Sequence, residues 1–341
     1  MMRLRRFASV LTTILIIFSM SSAFISTAYA DVPAAEDIEV FVDGNPITSQ
    51  AAIVIDFLSG LVIFEHNADE LRVPASMVKM VAVHVVLDSI RDRSTFFDAY
   101  IQTSDEVSVF SYDREFSNVP MPPDSFYTVR ELLGVVIARS ASAATVALGE
   151  GIFGSEEALI ERMNEKAQQL GVEALFFDSW GGSPDNRLSA RGMAELTRAL
   201  IREHPVVLDF TSQEIVLFDE TEYRNTNPLL SGYDGADGFK TGFTNPAGWC
   251  FAGTAMVDGR RLISVTMGSV QGFRFPDSII LLNYGFANID RTVANHFRTS
   301  SKHLEIHHTL RSPLVPIKMY NIEELRYFDL LYIAMLLNKY L

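Results

Sequence analysis

An antiparallel sheet with helices packed on it and an inserted helical region, the α+β class, is what this 341-residue sequence predicts. Three observations carry the expectation. Strand-like apolar runs open the chain at Ala51–Asp56 and 61–64, helix-like periodicity fills the middle, and strand character returns beyond residue 205. Strands at both ends of one segment can close a single sheet if the helices between them cover it. The length is ample for a large core.

Taken in order, residues 1–30 stand apart from the fold. Arg3, Arg5 and Arg6 precede an apolar stretch over 7–20, and Ala28-Tyr29-Ala30 places small residues at a cleavage site. This pattern predicts a secretory signal peptide removed before Asp31, since the apolar stretch is short for a membrane span. Residues 31–46 are polar and acidic, contain an Asp43-Gly44-Asn45-Pro46 turn, and read as a lead-in strand and loop. The two apolar runs after them flank Ser59-Gly60 and predict a β-hairpin with a tight turn.

A helix bearing Ser76 is expected next, running to about residue 91. Residues 92–127 lack sustained periodicity and hold Pro120, Pro122 and Pro123, so short strands in irregular chain are expected. Thr128-Val129-Arg130-Glu131 is a capping box ahead of the apolar stripe Leu132, Leu133, Val135, Val136 and Ile137. Further helices are predicted over 142–150, over 156–170 with Leu159, Ile160, Met163 and Ala167 on one face, and over 189–203. Strands follow at 214–218, 248–256 and 261–267, and a helix over 279–286 closes the segment. Residues 47–290 thus read as one mixed domain, and 291–341 as a short tail ending in a helix over 323–341. Its apolar run, 330–337, is too short to cross a bilayer. That helix either makes peripheral membrane contact or docks on the protein, and Glu323, Glu324 and Asp329 favour docking.

Composition removes several function classes. Without residues 1–30, which carry three arginines and no acid, the formal charge moves from -14 to -17. Nucleic acid is a poor partner for so acidic a surface. Cys250 is the sole cysteine, so no intrachain disulfide can form, and it reads as a small buried strand residue. The seven histidines show no His-Glu-x-x-His or paired-Cys spacing, and neither a metal nor a cofactor is expected.

Chemistry concentrates at Pro74-Ala75-Ser76-Met77-Val78-Lys79-Met80. Residues three apart share a helix face, so the Ser76 hydroxyl and the Lys79 amine meet. A serine hydroxyl attacks well only when a nearby base takes its proton. Lysine can serve once burial or a second cation lowers its pKa by roughly three units, a cost of about 4 kcal/mol. At a helix start the Ser76 backbone N–H is also free to meet an oxyanion. A second piece, Asp237-Gly238-Phe239-Lys240-Thr241-Gly242-Phe243, sets a cation, a hydroxyl and a permissive glycine at a strand. Only six lysines exist in the chain, and Lys79 and Lys240 both fall in such settings. Ser140 and Ser142, in Arg139-Ser140-Ala141-Ser142-Ala143-Ala144, sit at a helix-to-helix junction, as helix caps or as hydroxyls facing a cleft.

In this order the motifs resemble the serine D-alanyl-D-alanine carboxypeptidases of the low-molecular-mass penicillin-binding type. The resemblance spans roughly residues 47–290 and includes Ile55-Asp56-x-x-Ser59-Gly60, Thr128-Val129-Arg130-Glu131-Leu132-Leu133 and Asn283-Tyr284-Gly285-Phe286. It implies a β-lactamase/transpeptidase-like fold. It further implies that Ser76 is the acylated nucleophile, Lys79 its general base, and Ser140 a proton carrier to the leaving amine. Ser76 and Phe243 would supply oxyanion-hole N–H groups. Lys240, Thr241 and Gly242 would line the substrate strand, with Arg274 supporting the terminal carboxylate. The implied substrate is the peptidoglycan stem peptide ending in D-Ala-D-Ala, with β-lactams as inhibitors. Together with the signal peptide, the implied location is the periplasm or cell envelope, beyond the inner membrane.

Two positions depart from the family pattern. Ser142 stands where the middle motif usually has an asparagine that reaches both the substrate amide and the lysine base. Trp180 stands where relatives often carry the histidine of a His-Gly pair. They leave open a degenerate protein of this family that binds peptidoglycan with little turnover. A β-lactamase is disfavoured, because no Glu-x-x-Leu-Asn lies between Ser142 and Lys240 to activate a deacylating water.

Overall fold

The computed structural model describes residues 40–90 and 94–309, so the expected signal peptide and terminal helix lie outside the described residues. β1 (Val40–Val42) and β2 (Asn45–Ile47) form a hairpin in place of the expected strand and loop. Its turn residues Asp43 and Gly44 both have positive φ, 50° and 78°, the geometry whose twist suits two flanking strands. β3 (Ala51–Asp56) and β4 (Val62–His66) make the predicted hairpin. A 3-10 turn (Ala75–Val78) then runs into α1 (Lys79–Ile90), so Ser76 lies in the turn before the helix.

The stretch expected to be irregular is more ordered than its sequence suggests. It holds a second 3-10 turn (Ser94–Asp98), β5 (Tyr100–Gln102), α2 (Asp105–Ser111) and β6 (Phe126–Thr128). α2 is too short to show periodicity, yet it is well started. Ser104 accepts from Val107 N at 3.1 Å, and Asp105 and Glu106 occupy its positive end. α3 (Val129–Ala138) begins at the predicted capping box, with Thr128 Oγ1 accepting from Glu131 N and Glu131 Oε2 accepting from Thr128 N at 2.8 Å. α4 (Ser142–Phe153) ends at left-handed Gly154, a turn beyond the expected end.

α5 (Glu156–Gln169) precedes a small pair, β7 (Ala174–Leu175) with β8 (Arg187–Leu188), and then come α6 (Ala190–Glu203) and α7 (Val207–Thr211). β9 (Ile215–Phe218) has strand character as expected, but pairs with β10 (Thr221–Arg224) as a separate hairpin. After α8 (Leu229–Gly232) the chain closes with β11 (Ala236–Thr244), β12 (Gly248–Val257), β13 (Arg260–Ser269) and α9 (Arg274–Thr309). α9 runs on past the expected end at residue 286, since no proline or glycine interrupts the chain between Gly285 and Pro313.

One five-stranded antiparallel sheet, in the order β11-β12-β13-β3-β4, joins the two ends of the segment as the sequence predicts. β3 is buried along its whole length because both faces are covered. Ile53 and Ile55 face the core shared with α1 and α6, whereas Ala52 and Val54 face Leu281 and Leu282 of α9. The edge strand β11 is left beside the Ala75–Val78 turn, and that juxtaposition creates the cleft. Cys250 lies buried in β12, where burial pushes its thiol up to about 11.

Between α1, α5 and α6 lies a charged network invisible in the sequence. The Lys166 ammonium donates to Asp88 at 2.9 Å and to Glu203 at 2.7 Å, with His204 2.7 Å from Asp88 and His84 3.0 Å from Glu203. His84, Asp88, Glu203 and His204 have the spacing of metal ligands, but Lys166 already supplies the cation between the carboxylates. Burial, and then Lys166, hold His84 down at about 4, so it folds neutral. The unfolded chain therefore binds the extra proton first, and stability falls as pH drops from about 6.5 toward 4, by about 3 kcal/mol. Thermal melts from pH 7 to pH 4.5 are expected to show a steep loss in the wild type and a shallower one in His84→Gln. Equal slopes would dismiss this account.

Candidate active site

The nucleophile turn is shaped by Pro74 and by Ala75, whose φ of 49° is left-handed, a conformation that costs a non-glycine residue about 1–2 kcal/mol. It is held there by close packing. β11 passes so near that a Cβ on Gly242 would lie 3.0 Å from Pro74 O and 3.2 Å from Ser76 N. Ser76 is half-buried at the cleft floor, and Lys79 Nζ lies 2.9 Å from its Oγ. Lys79 is fully buried (0%) and also donates to the Trp180 carbonyl at 2.6 Å. Burial pulls its pKa down to about 7, against the opposing charges of Asp178 and Glu156. The amine is thus able to take a proton near neutral pH.

Ser140 lies in the short link between α3 and α4, with φ 64° and a buried Oγ that has no hydrogen-bond partner among the described residues. Ser142 opens α4, where its backbone N–H donates to Ser117 O at 2.9 Å. Both line the same cleft as Ser76, which settles the choice between cap and cleft in favour of the cleft. Lys240 is buried and donates to Thr241 O at 3.0 Å; burial, and then Lys79 and Arg274, push its pKa well down. Thr241 pairs with Thr226 through their hydroxyls at 2.8 Å. Phe243 is exposed at the rim against Trp249, ring centroids 4.4 Å apart. Arg274, the first residue of α9, donates to Gly242 O at 3.1 Å and lies 4.7 Å over the Trp249 ring. Burial draws its pKa to about 10, so it remains charged at neutral pH.

Of the nine residues singled out in the sequence, Ser76, Ser140, Ser142, Thr241, Gly242, Phe243 and Arg274 line one cleft of about 590 Å³, and Lys79 and Lys240 lie buried beside it, bonded to Ser76 and to Thr241 O. Sequence reasoning did not find Thr226, Glu115, Phe116, Ser117 or Asn245, which also line it. None lies in a motif with a chemical spacing. Trp180 packs against Phe116 and Phe110 at 4.7 and 5.1 Å and lines the cleft with Phe116. The arrangement sets a hydroxyl against a dry amine able to take its proton, with basic side chains nearby, groups whose chemistry suits acyl transfer.

Comparisons with known proteins point the same way. D-alanyl-D-alanine carboxypeptidase DacA of Haemophilus influenzae is 32% identical over 280 residues, 79% of this chain and 69% of the relative. DacF of Bacillus subtilis, with the same description, is 28% identical over 227 residues, 65% of this chain and 57% of the relative. The chain thus spans between about half and two thirds of the length of such relatives. Among solved structures, ampicillin-bound penicillin-binding protein D2 of Listeria monocytogenes is 30% identical, with a TM-score of 0.62 over 70% of this chain and 98% of that one. Because the D-alanyl-D-alanine carboxypeptidase model of peptidase family S11 matches residues 39–271, the whole five-stranded sheet and the Ser76 turn fall inside it, and this chain belongs to that family.

Proposed function

We propose that this protein is a secreted serine DD-carboxypeptidase that removes the terminal D-Ala from peptidoglycan stem peptides through an acyl-enzyme on Ser76. The observation that carries this reading is the 2.9 Å approach of Ser76 Oγ to a fully buried Lys79 amine with a pKa near 7. Lys79 accepts the hydroxyl proton as Oγ attacks the carbonyl of the penultimate D-Ala. The backbone N–H groups of Ser76 and Phe243 receive the oxyanion. Lys240, Thr241 and Arg274 hold the terminal carboxylate, and Ser140, whose Oγ has no hydrogen-bond partner among the described residues, passes the proton taken up by Lys79 to the departing amine. Lys79, neutral again, takes a proton from water as its oxygen attacks the acyl carbonyl, and returns that proton to Ser76 Oγ as the shortened peptide leaves. Residues 47–290 form the catalytic unit in this reading, and the N-terminal pattern of residues 1–30 supports delivery to the cell envelope. The ampicillin-bound form of the Listeria relative supports β-lactam binding by this chain, and attack by Ser76 on the lactam carbonyl would make such binding covalent. Among the described residues no helix is long and apolar enough to cross a membrane.

A second reading, a peptidoglycan-binding protein of low turnover, draws on Ser142, whose hydroxyl is shorter than the family's asparagine amide. The two separate in one assay. Mature protein incubated with a stem pentapeptide is expected to release free D-Ala, and Ser142→Asn to raise that rate about tenfold by adding a transition-state hydrogen bond. Protein that binds the pentapeptide without releasing D-Ala would leave the binding reading in its place.

A further inference from the structure

The base of the acyl-transfer pair is held by a backbone group. Among the described residues, the hydrogen-bond partners of Lys79 Nζ are Ser76 Oγ and the Trp180 carbonyl. Ser142 makes no such bond, although the family pattern assigns that contact to its position. The burden of aiming Lys79 therefore falls on one peptide unit in the 178–183 segment, which belongs to neither helix nor strand.

That peptide unit is pinned from its other side. Trp180 C=O and Gly181 N–H share one planar trans amide and point in opposite directions. While the carbonyl faces Lys79, the Gly181 N–H donates to Asp178 Oδ1 at 2.5 Å. The same carboxylate accepts from Trp180 N at 3.2 Å and Asn186 Nδ2 at 3.2 Å, and its Oδ2 accepts from Ser183 N. One residue back, Ser179 is fully buried and donates to Glu156 Oε1 twice, from N at 2.9 Å and from Oγ at 2.7 Å. Glu156 is the first residue of α5; burial raises its carboxyl above the ordinary value, while the two hydrogen bonds from Ser179 favour its charge. The loop also bears directly on the nucleophile turn. At Gly181, φ is +88° and a Cβ would lie 2.1 Å from Ala75 O, so the loop backbone packs directly against the residue before Ser76 and leaves no room for a side chain there.

Building on the serine acyl-transfer reading above, we propose that Glu156 and Asp178 are positioning residues. From behind the cleft they clamp the 178–183 loop so that the Trp180 carbonyl holds the Lys79 amine against Ser76. Neither carboxylate lines the cleft. Their second effect is electrostatic: both negative charges favour the protonated amine and offset part of the burial that opposes it. The clamp and the tuning are separable, because glutamine at 156 keeps an oxygen acceptor for Ser179 but loses the charge.

The test is the rate of covalent labelling by a fluorescent penicillin from pH 5 to pH 9, for wild type, Glu156→Gln and Asp178→Asn. The acid limb of that profile reports the free-enzyme base. Glu156→Gln is expected to move its midpoint to lower pH by half a unit or more. Asp178→Asn, which replaces an acceptor oxygen by a donor, is expected to cut the plateau rate at least tenfold as well. A purely structural role would lower the melting temperature and leave the midpoint in place. Folded variants with the wild-type midpoint and plateau overturn the proposal while leaving Ser76 acylation standing. A wild type that takes no label overturns the acyl-transfer reading and the proposal with it. If Asp178→Asn does not fold, Glu156→Gln and the milder Ser179→Ala, expected to slow labelling about threefold, decide the matter by the same criteria.

Discussion

Ser76→Ala is expected to abolish both covalent labelling by a fluorescent penicillin and D-Ala release, a loss of at least about 10³-fold. The substitution removes one oxygen from a half-buried position and leaves the Lys79 amine, the cleft and the left-handed Ala75 turn in place. Its melting temperature should therefore stay within a few degrees of wild type, which separates chemistry from folding. Labelling that persists in folded Ser76→Ala would place the nucleophile elsewhere in the cleft, where Ser140 is the nearest candidate by lining and burial.

Lys79→Met is expected to silence labelling to a similar degree and, unlike most core substitutions, to stabilise the fold. Burial takes the amine from its ordinary 10.5 to about 7. In the unfolded chain the amine holds its proton up to 10.5, so between pH 7 and 10.5 the unfolded state binds more protons than the folded one. The penalty is complete below about pH 7 and vanishes above 10.5, a span of about 5 kcal/mol. Methionine has similar length and no charge, but leaves the Trp180 carbonyl unpaired at a cost of about 1–3 kcal/mol. A net gain of about 2–3 kcal/mol at neutral pH follows, shrinking as pH approaches 10. Chemical denaturation at pH 7 and pH 9.5 measures it, and a variant less stable than wild type at both would contradict the burial argument. Wild-type labelling should itself rise with pH through about 7 as Lys79 loses its proton.

Such a trade of stability for chemistry explains which parts of this protein were legible in its residues. The Ser76/Lys79 pair was readable because an i, i+3 spacing is a local geometric instruction. The Thr128/Glu131 capping box and the β3–β4 hairpin were readable for the same reason: their partners lie within a few residues of one another. Long apolar strands at both ends of the segment likewise implied one sheet, and β11 to β13 pair with β3 and β4 accordingly. α2 escaped because seven residues hold too little periodicity. The off-sheet place of β9 escaped because strand character names no partner.

What the amino-acid order dictated, then, is the local chemistry: a hydroxyl beside an amine, a cation and a glycine on one strand, and elements amphipathic enough to assemble. Burial of that amine, by contrast, depends on the Trp180 carbonyl a hundred residues downstream, and its charge on Glu156 and Asp178 behind it. Desolvation is set by everything packed around a group, and Coulomb forces by distances through space. Neither is written in the spacing of Ser76 and Lys79; both come from the packing of β11 and the 178–183 loop around their turn, which leaves the Lys79 amine buried with a pKa of about 7.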